Sequence, residues 1–131
     1  MCLDRLTKFK APKYGYKVFE VYGSKLFSIH SGNRENYEIG KILNEKSYRS
    51  PTYMGKKCTL LNDITKQEYP LGFHIFQAKE AAMVRASYMS NINLEVYKVE
   101  IIEPIVTGQE FADCKFRNVI VSKKMRIIEE V

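Results

Sequence analysis

Two histidines, His30 and His74, are the residues of this chain whose ordinary pKa lies nearest neutrality, and each stands where chemistry could be done. His74 lies in the run Gly-Phe-His-Ile-Phe, residues 72–76, which reads as a strand. Alternation then points it away from Phe73 and Ile75. If those two fill the core, His74 faces solvent or a groove; if it shares the inner face with Phe76, it is a buried, hydrogen-bonded imidazole. His30, in Ser-Ile-His-Ser-Gly, ends a strand at a turn, where side chains converge on ligands. General acid–base catalysis needs a partner within hydrogen-bond reach. His30 and His74 are therefore the catalytic candidates, with no catalytic set completed around either. Removal of Met1 would leave Cys2 as an amino-terminal thiol whose own amine could serve as its base, although the flanking Leu-Asp-Arg-Leu-Thr-Lys-Phe lacks a glycine-rich surround.

Other chemistries lack their residues. The chain contains no GxGxxG, GxxxxGK[ST], GxSxG or HExxH pattern, which removes the dinucleotide, phosphate-loop, serine-hydrolase and zinc-protease readings. Cys2, Cys58 and Cys114 are odd in number, widely spaced and without a C-x-x-C pair, so neither a disulfide framework nor a zinc ribbon is indicated. Glu129 and Glu130 are adjacent, and in a strand they point to opposite faces, so they cannot act as a paired acid and base. No metal and no cofactor is expected. No apolar run reaches the roughly 18 residues of a membrane span, and the first residues have no signal-peptide core. Reduced thiols and no membrane partner make the cytoplasm the simplest location.

The net charge of +6 is concentrated. Residues 1–60 hold 12 Lys and Arg against 5 Asp and Glu, whereas residues 61–131 hold 9 against 10. The basic half also carries nine of the sixteen Tyr and Phe residues, among them Tyr14, Tyr16, Tyr22 and Tyr37. Cations interleaved with aromatic rings suit a phosphate backbone with stacked bases, an acidic protein surface, or a solvated sheet face. Residues 44–55 are polar, basic and interrupted by Pro51, which reads as a long surface loop. Lys46, Tyr48, Arg49, Tyr53, Lys56 and Lys57 are the binding residues expected there, as anchors for a partner.

The positioning elements follow from periodicity. Residues 14–33 read as two short strands joined at Gly23-Ser24, with Tyr16, Val18, Glu20 and Tyr22 on one face and Lys17, Phe19 and Val21 on the other. Residues 37–43 offer another short strand. After the strand at 72–76, Ala- and Glu-rich composition predicts one principal helix over about 78–90, with Ala81, Val84 and Tyr88 on a stripe beside Ala82 and Met89. The segment from Leu94 reads as a strand leaving at Pro104 and Gly108, with a bulge between Val96 and Val99 where the apolar positions change parity. A loop through residues 109–116 then leads to two strands separated at Lys123-Lys124. The expectation is one α+β domain over residues 1–131, with a curved, mainly antiparallel sheet and one helix.

The opening Met-Cys-Leu, with GYKVFEVYGSKLFSIHSG, YEIGKIL and YPLGFHIFQAKEAA, resembles small proteins of uncharacterised families common in bacteriophages and their bacterial hosts. That resemblance covers most of the chain. It implies a phage-associated accessory protein in the host cytoplasm that acts by binding, as an inhibitor or modulator of a host protein or nucleoprotein complex. A second resemblance, over residues 72–106, is to ADP-ribosyltransferases, whose core runs glycine, aromatic strand, turn, helix, strand. It implies a nucleotide-handling enzyme with His30, His74 and Tyr88 near the pocket. The nearest candidates for its early-strand Arg or His are His30 or Lys17, whereas the chain departs from the motif at Gln77, which stands where that family has Ser or Thr, and at Glu129, which is not in a recognisable setting for its late-strand glutamate. A third reading is a direct nucleic-acid-binding module built on the basic half.

Overall fold

The computed structural model describes residues 3–28, 36–44, 57–60, 67–88 and 93–131. Within them the chain forms β1 (Arg5–Leu6), β2 (Tyr14–Tyr22), β3 (Lys25–Ser28), β4 (Ile42–Asn44), β5 (Lys57–Thr59), β6 (Glu68–Pro70) and β7 (Phe73–Phe76). Helix α1 (Lys79–Ser87) follows, then β8 (Leu94–Ile101), β9 (Pro104–Ala112), β10 (Lys115–Ser122) and β11 (Lys124–Glu130). The main sheet runs β1-β9-β10-β7-β2-β8-β11-β4, with β3 also paired to β2; β5 and β6 form a separate pair. Every pairing is antiparallel. This is the α+β architecture that the sequence predicts, a curled sheet with one principal helix.

The sheet is buried on both faces. Phe19, Phe73, Ile75, Val99, Ile101, Ile120, Met125 and Ile127 belong to one core, which Leu26, Tyr37 and Leu43 complete. Edge-to-face contacts order it: Tyr37 packs at 5.8 Å from Phe19 and 6.2 Å from Phe73, and Phe19 at 5.8 Å from Tyr97. The alternate residues Val18, Phe76, Val96, Val119 and Val121 form a second core beneath Ala81 and Ala82 of α1. A nine-residue helix is too short to hold itself in water, and no side chain caps its start at Ala78. Its two buried alanines, which let it lie close on the sheet, keep it in place.

Double-sided burial corrects the reading of residues 94–108. Val96 and Val99 serve different cores, so their change of parity needs no bulge, and β8 pairs with β2 without interruption from Leu94 to Glu100. The irregularity sits instead in β11, between Ile127 and Glu129 opposite β8. Pro104 opens β9 rather than ending β8, and Gly108 lies inside β9 opposite Val119. The segment expected as a loop over 109–116 is the end of a β9–β10 hairpin, with Ala112 paired to Lys115 across Asp113-Cys114. The junction at Gly23-Ser24 does form the expected tight turn, with Tyr22 paired to Lys25 and Gly23 at a φ of 60°.

Gly15 marks the tightest approach within the sheet. A methyl group there would meet Ile75 Cγ2 at 2.5 Å and the Phe76 carbonyl oxygen at 2.8 Å. Gly15→Ala is therefore expected to destabilise the protein by about 1–3 kcal/mol, the usual range for overpacking. A urea midpoint that falls with little change in slope is the expected result.

Candidate binding surface

His74 resolves as structure rather than surface. It is 7% exposed, on the helix-facing side with Phe76, and both ring nitrogens have partners. Nδ1 lies 3.2 Å from the Gly72 carbonyl, which can only accept, so Nδ1 carries the proton. Nε2 then accepts from the Tyr69 hydroxyl at 2.9 Å, and that hydroxyl accepts from the Leu3 amide at 2.7 Å. The relay fastens the amino-terminal segment, whose Leu3 is fully buried, to β6 and β7. Lys17, a nearest match on the transferase pattern, donates to the His74 carbonyl at 2.9 Å. Gln77 accepts from Asn118, Tyr88 caps α1 in an exposed position, and Glu129 lies exposed beside the β11 irregularity.

The other expected site residues fall elsewhere. His30, Lys46, Tyr48, Arg49, Tyr53 and Lys56 lie outside the described residues, as does Cys2. Lys57 contributes backbone to β5 opposite Pro70, and its side chain is also outside them. Among the described residues, no group of three His, Cys, Asp or Glu side chains is placed to hold a metal ion. No helix there is long and apolar enough to cross a membrane.

A crossed set of charges joins α1 to the β9–β10 hairpin. Arg117 and Glu110 are cross-strand partners on the helix-facing side. Arg117 reaches up to Glu80 at 3.0 Å, and Arg85 reaches down to Glu110 at 3.1 Å. Arg117 is 7% exposed and Glu110 only 3%. Burial raises the Glu110 carboxyl above the ordinary carboxylate range, and Arg85 opposes that shift without cancelling it. Among the described residues its Oε2 has no hydrogen-bond partner. Glu80 is held below the ordinary range by its hydrogen bond from Arg117, with Lys115 and the Arg117 charge adding to the effect.

Beyond this clamp the hairpin projects an aromatic platform. Phe111 and Phe116 are directly opposed, with ring centroids 5.1 Å apart and exposures of 53% and 42%. Arg5 lays its guanidinium 3.5 Å from the Phe116 centroid, and its Nε donates to Gln109 Oε1 at 2.7 Å. Stacked and tethered in this way, the exposed fork gives up little rotamer freedom when its outer nitrogens meet an anion. A row of amides continues inward, with Gln109 donating to Asn118 at 2.8 Å and Asn118 to Gln77 at 2.8 Å. These amides, with Lys115 and Phe116, line an open cleft of about 370 Å³ against Ala78 and Ala81.

The turn presenting the two rings holds Asp113 at a φ of 53° and Cys114 at 60°, both left-handed. Such a pair is the type I′ geometry of two-residue hairpins. Cys is an uncommon choice for it, and each non-glycine residue there stores roughly 1–2 kcal/mol. Reading from sequence missed Phe111 and Phe116 because Asp-Cys lacks the Asn-Gly or Asp-Gly signature. The available signal was the near-symmetric Phe-Ala-Asp-Cys-Lys-Phe, which sets two rings opposite one another across a two-residue turn.

Comparison with known proteins found no matching family model, no matching curated protein and no matching solved structure.

The Glu110 shift has a definite sign. A carboxyl whose folded pKa exceeds its unfolded value binds more protons when folded, so its contribution is complete below the unfolded pKa and is lost as pH rises through the folded one. Glu110→Gln is expected to remove that loss. The stability of the variant relative to the original should therefore increase as pH is raised from the ordinary carboxylate range toward neutrality, read from urea midpoints at a series of pH values.

Proposed function

We propose that this protein acts by binding, as a phage-associated accessory protein that inhibits or modulates a host protein or nucleoprotein complex. The observation that carries the reading is the Phe111–Phe116 pair, two exposed phenyl rings held on a two-residue turn with Arg5 stacked on one of them. Arginine dominates binding energies at interfaces together with Trp and Tyr, and Phe is enriched there. Cross-strand pairing of the two rings adds only modestly to the hairpin and leaves both of them exposed, and the α1 charge clamp ties the base of the hairpin that carries them to the helix. The His74 environment supports the same reading, since its ring nitrogens serve a packing relay.

Phe111→Ser tests the assignment, because Phe111 is half exposed and its loss should leave the unfolding midpoint nearly unchanged. Tagged original and variant proteins would be used to capture partners from a bacterial host lysate treated with nuclease, with quantitative mass spectrometry of what is retained. The expected result is a partner enriched by the original and depleted at least tenfold with Phe111→Ser, corresponding to about 1.4 kcal/mol. Equal retention by both would remove the hairpin as the binding surface.

A further inference from the structure

The segment between β1 and β2 crosses the end of the sheet as an extended strap. Thr107 brackets its start: its hydroxyl donates to the Thr7 carbonyl at 2.6 Å and accepts from the Phe9 amide at 3.4 Å, while the Thr7 amide donates to the Thr107 carbonyl at 3.2 Å. At the far end, the Ile101 amide donates to the Lys13 carbonyl at 2.8 Å. Phe9 and Ala11 turn inward against the Tyr37 core, and the intervening Lys8 and Lys10 are exposed. The strap thus carries cations outward at alternate positions for a structural reason.

Its two ends carry aromatic rings with cations already on them. At one end Arg5 stacks on Phe116; at the other, Lys13 lies 5.4 Å and Lys98 4.5 Å from the centroid of the exposed Tyr14 ring. Arg5, Lys8, Lys10, Lys13 and Lys98 make no ion pair among the described residues. Of the acids nearby, Asp4 accepts from the Phe111 amide at 2.7 Å, Glu100 pairs with Arg126, and Glu103 with Lys124, while Asp113 is exposed on the hairpin turn two residues before Lys115. No Asp or Glu lies between Asp4 and Tyr14. An unbroken line of unpaired positive charge calls for a polyanion, and flat rings at both ends call for one that carries stackable groups.

Resting on the reading that the protein works by binding, we infer that the Arg5–Tyr14 strap and the Phe111–Phe116 platform form a track for single-stranded nucleic acid. Phosphates meet Arg5, Lys8, Lys10 and Lys13, while bases stack on Phe111 at one end and Tyr14 at the other. The eight residue steps from Arg5 to Lys13 reach at most about 26 Å at ~3.3 Å per residue. That suits the roughly four nucleotides at the lower end of single-strand site sizes. An acidic polypeptide would satisfy the cations and leave the rings without matching planes.

The test is fluorescence anisotropy with labelled single-stranded RNA and DNA of mixed sequence, about 12 nucleotides long, across a salt series. The expected result is binding whose log–log salt slope is about −3, from ~0.7 per phosphate neutralised. The double variant Lys8→Ala, Lys10→Ala should make that slope shallower by about 1.4. Phe111→Ser should weaken binding roughly tenfold with the slope unchanged, as loss of one stacked base would. Absence of binding at low salt, a slope unaffected by the double variant, tighter binding to duplex of the same sequence, or equally effective displacement by polyglutamate would each overturn the inference. A nuclease-resistant host partner that depends on Phe111, together with no oligonucleotide binding, would overturn the track while leaving the binding function in place.

Discussion

Strands β2, β7, β8 and β10 bury side chains on both of their faces, and the rest of the molecule is arranged around that constraint. A strand flanked by two apolar cores has no face left for polar function, so polar side chains placed on these strands become packing elements. His74 is the clearest example: its imidazole is consumed by Gly72 and Tyr69 and, through Tyr69, fastens the buried Leu3. Groups able to meet a partner are displaced to the margins, where the sheet outruns its cores. The hairpin end at Phe111 and Phe116 and the strap from Thr7 to Lys13 are two such margins, and β1 joins them along the edge of β9.

Much of the architecture was legible because local pattern and tertiary role agreed. The helix over 79–87 announced itself by composition, and Gly23-Ser24 by turn chemistry. The hydrophobic alternation of Phe73 to Phe76 announced a strand and left the face of His74 open, since a strand buried on both sides shows no polar side to orient it. For the same reason the parity of Val96 and Val99 suggested a bulge that β8 does not have. The hairpin end was hidden by its turn, where Asp113 and Cys114 adopt left-handed backbone usually signalled by glycine or asparagine. Arg5 was hidden more deeply: its place on Phe116 depends on β1 pairing with β9 about a hundred residues later, which no local pattern encodes.

Charge is used in two different ways. At the α1–hairpin junction, Glu80, Arg85, Glu110 and Arg117 are paired, and the burial of Glu110 raises its pKa despite Arg85. Pairs of this kind fix orientation more than they add stability, because removing a charge from water offsets much of what its partner returns. Their consequence here is a hairpin base with a defined angle to the helix. Along the strap the cations are exposed and make no ion pair among the described residues, which leaves their field open to solvent. In the proposed track, the paired set positions the surface and the unpaired set would supply its attraction.

The measurement that bears most directly on this account is hydrogen exchange by mass spectrometry, on the protein alone and with single-stranded oligonucleotide. The account predicts added protection confined to the peptides covering residues 3–14 and 109–118, with α1 and the doubly buried strands unchanged. Protection centred on α1, or no change anywhere in the presence of saturating oligonucleotide, would contradict it.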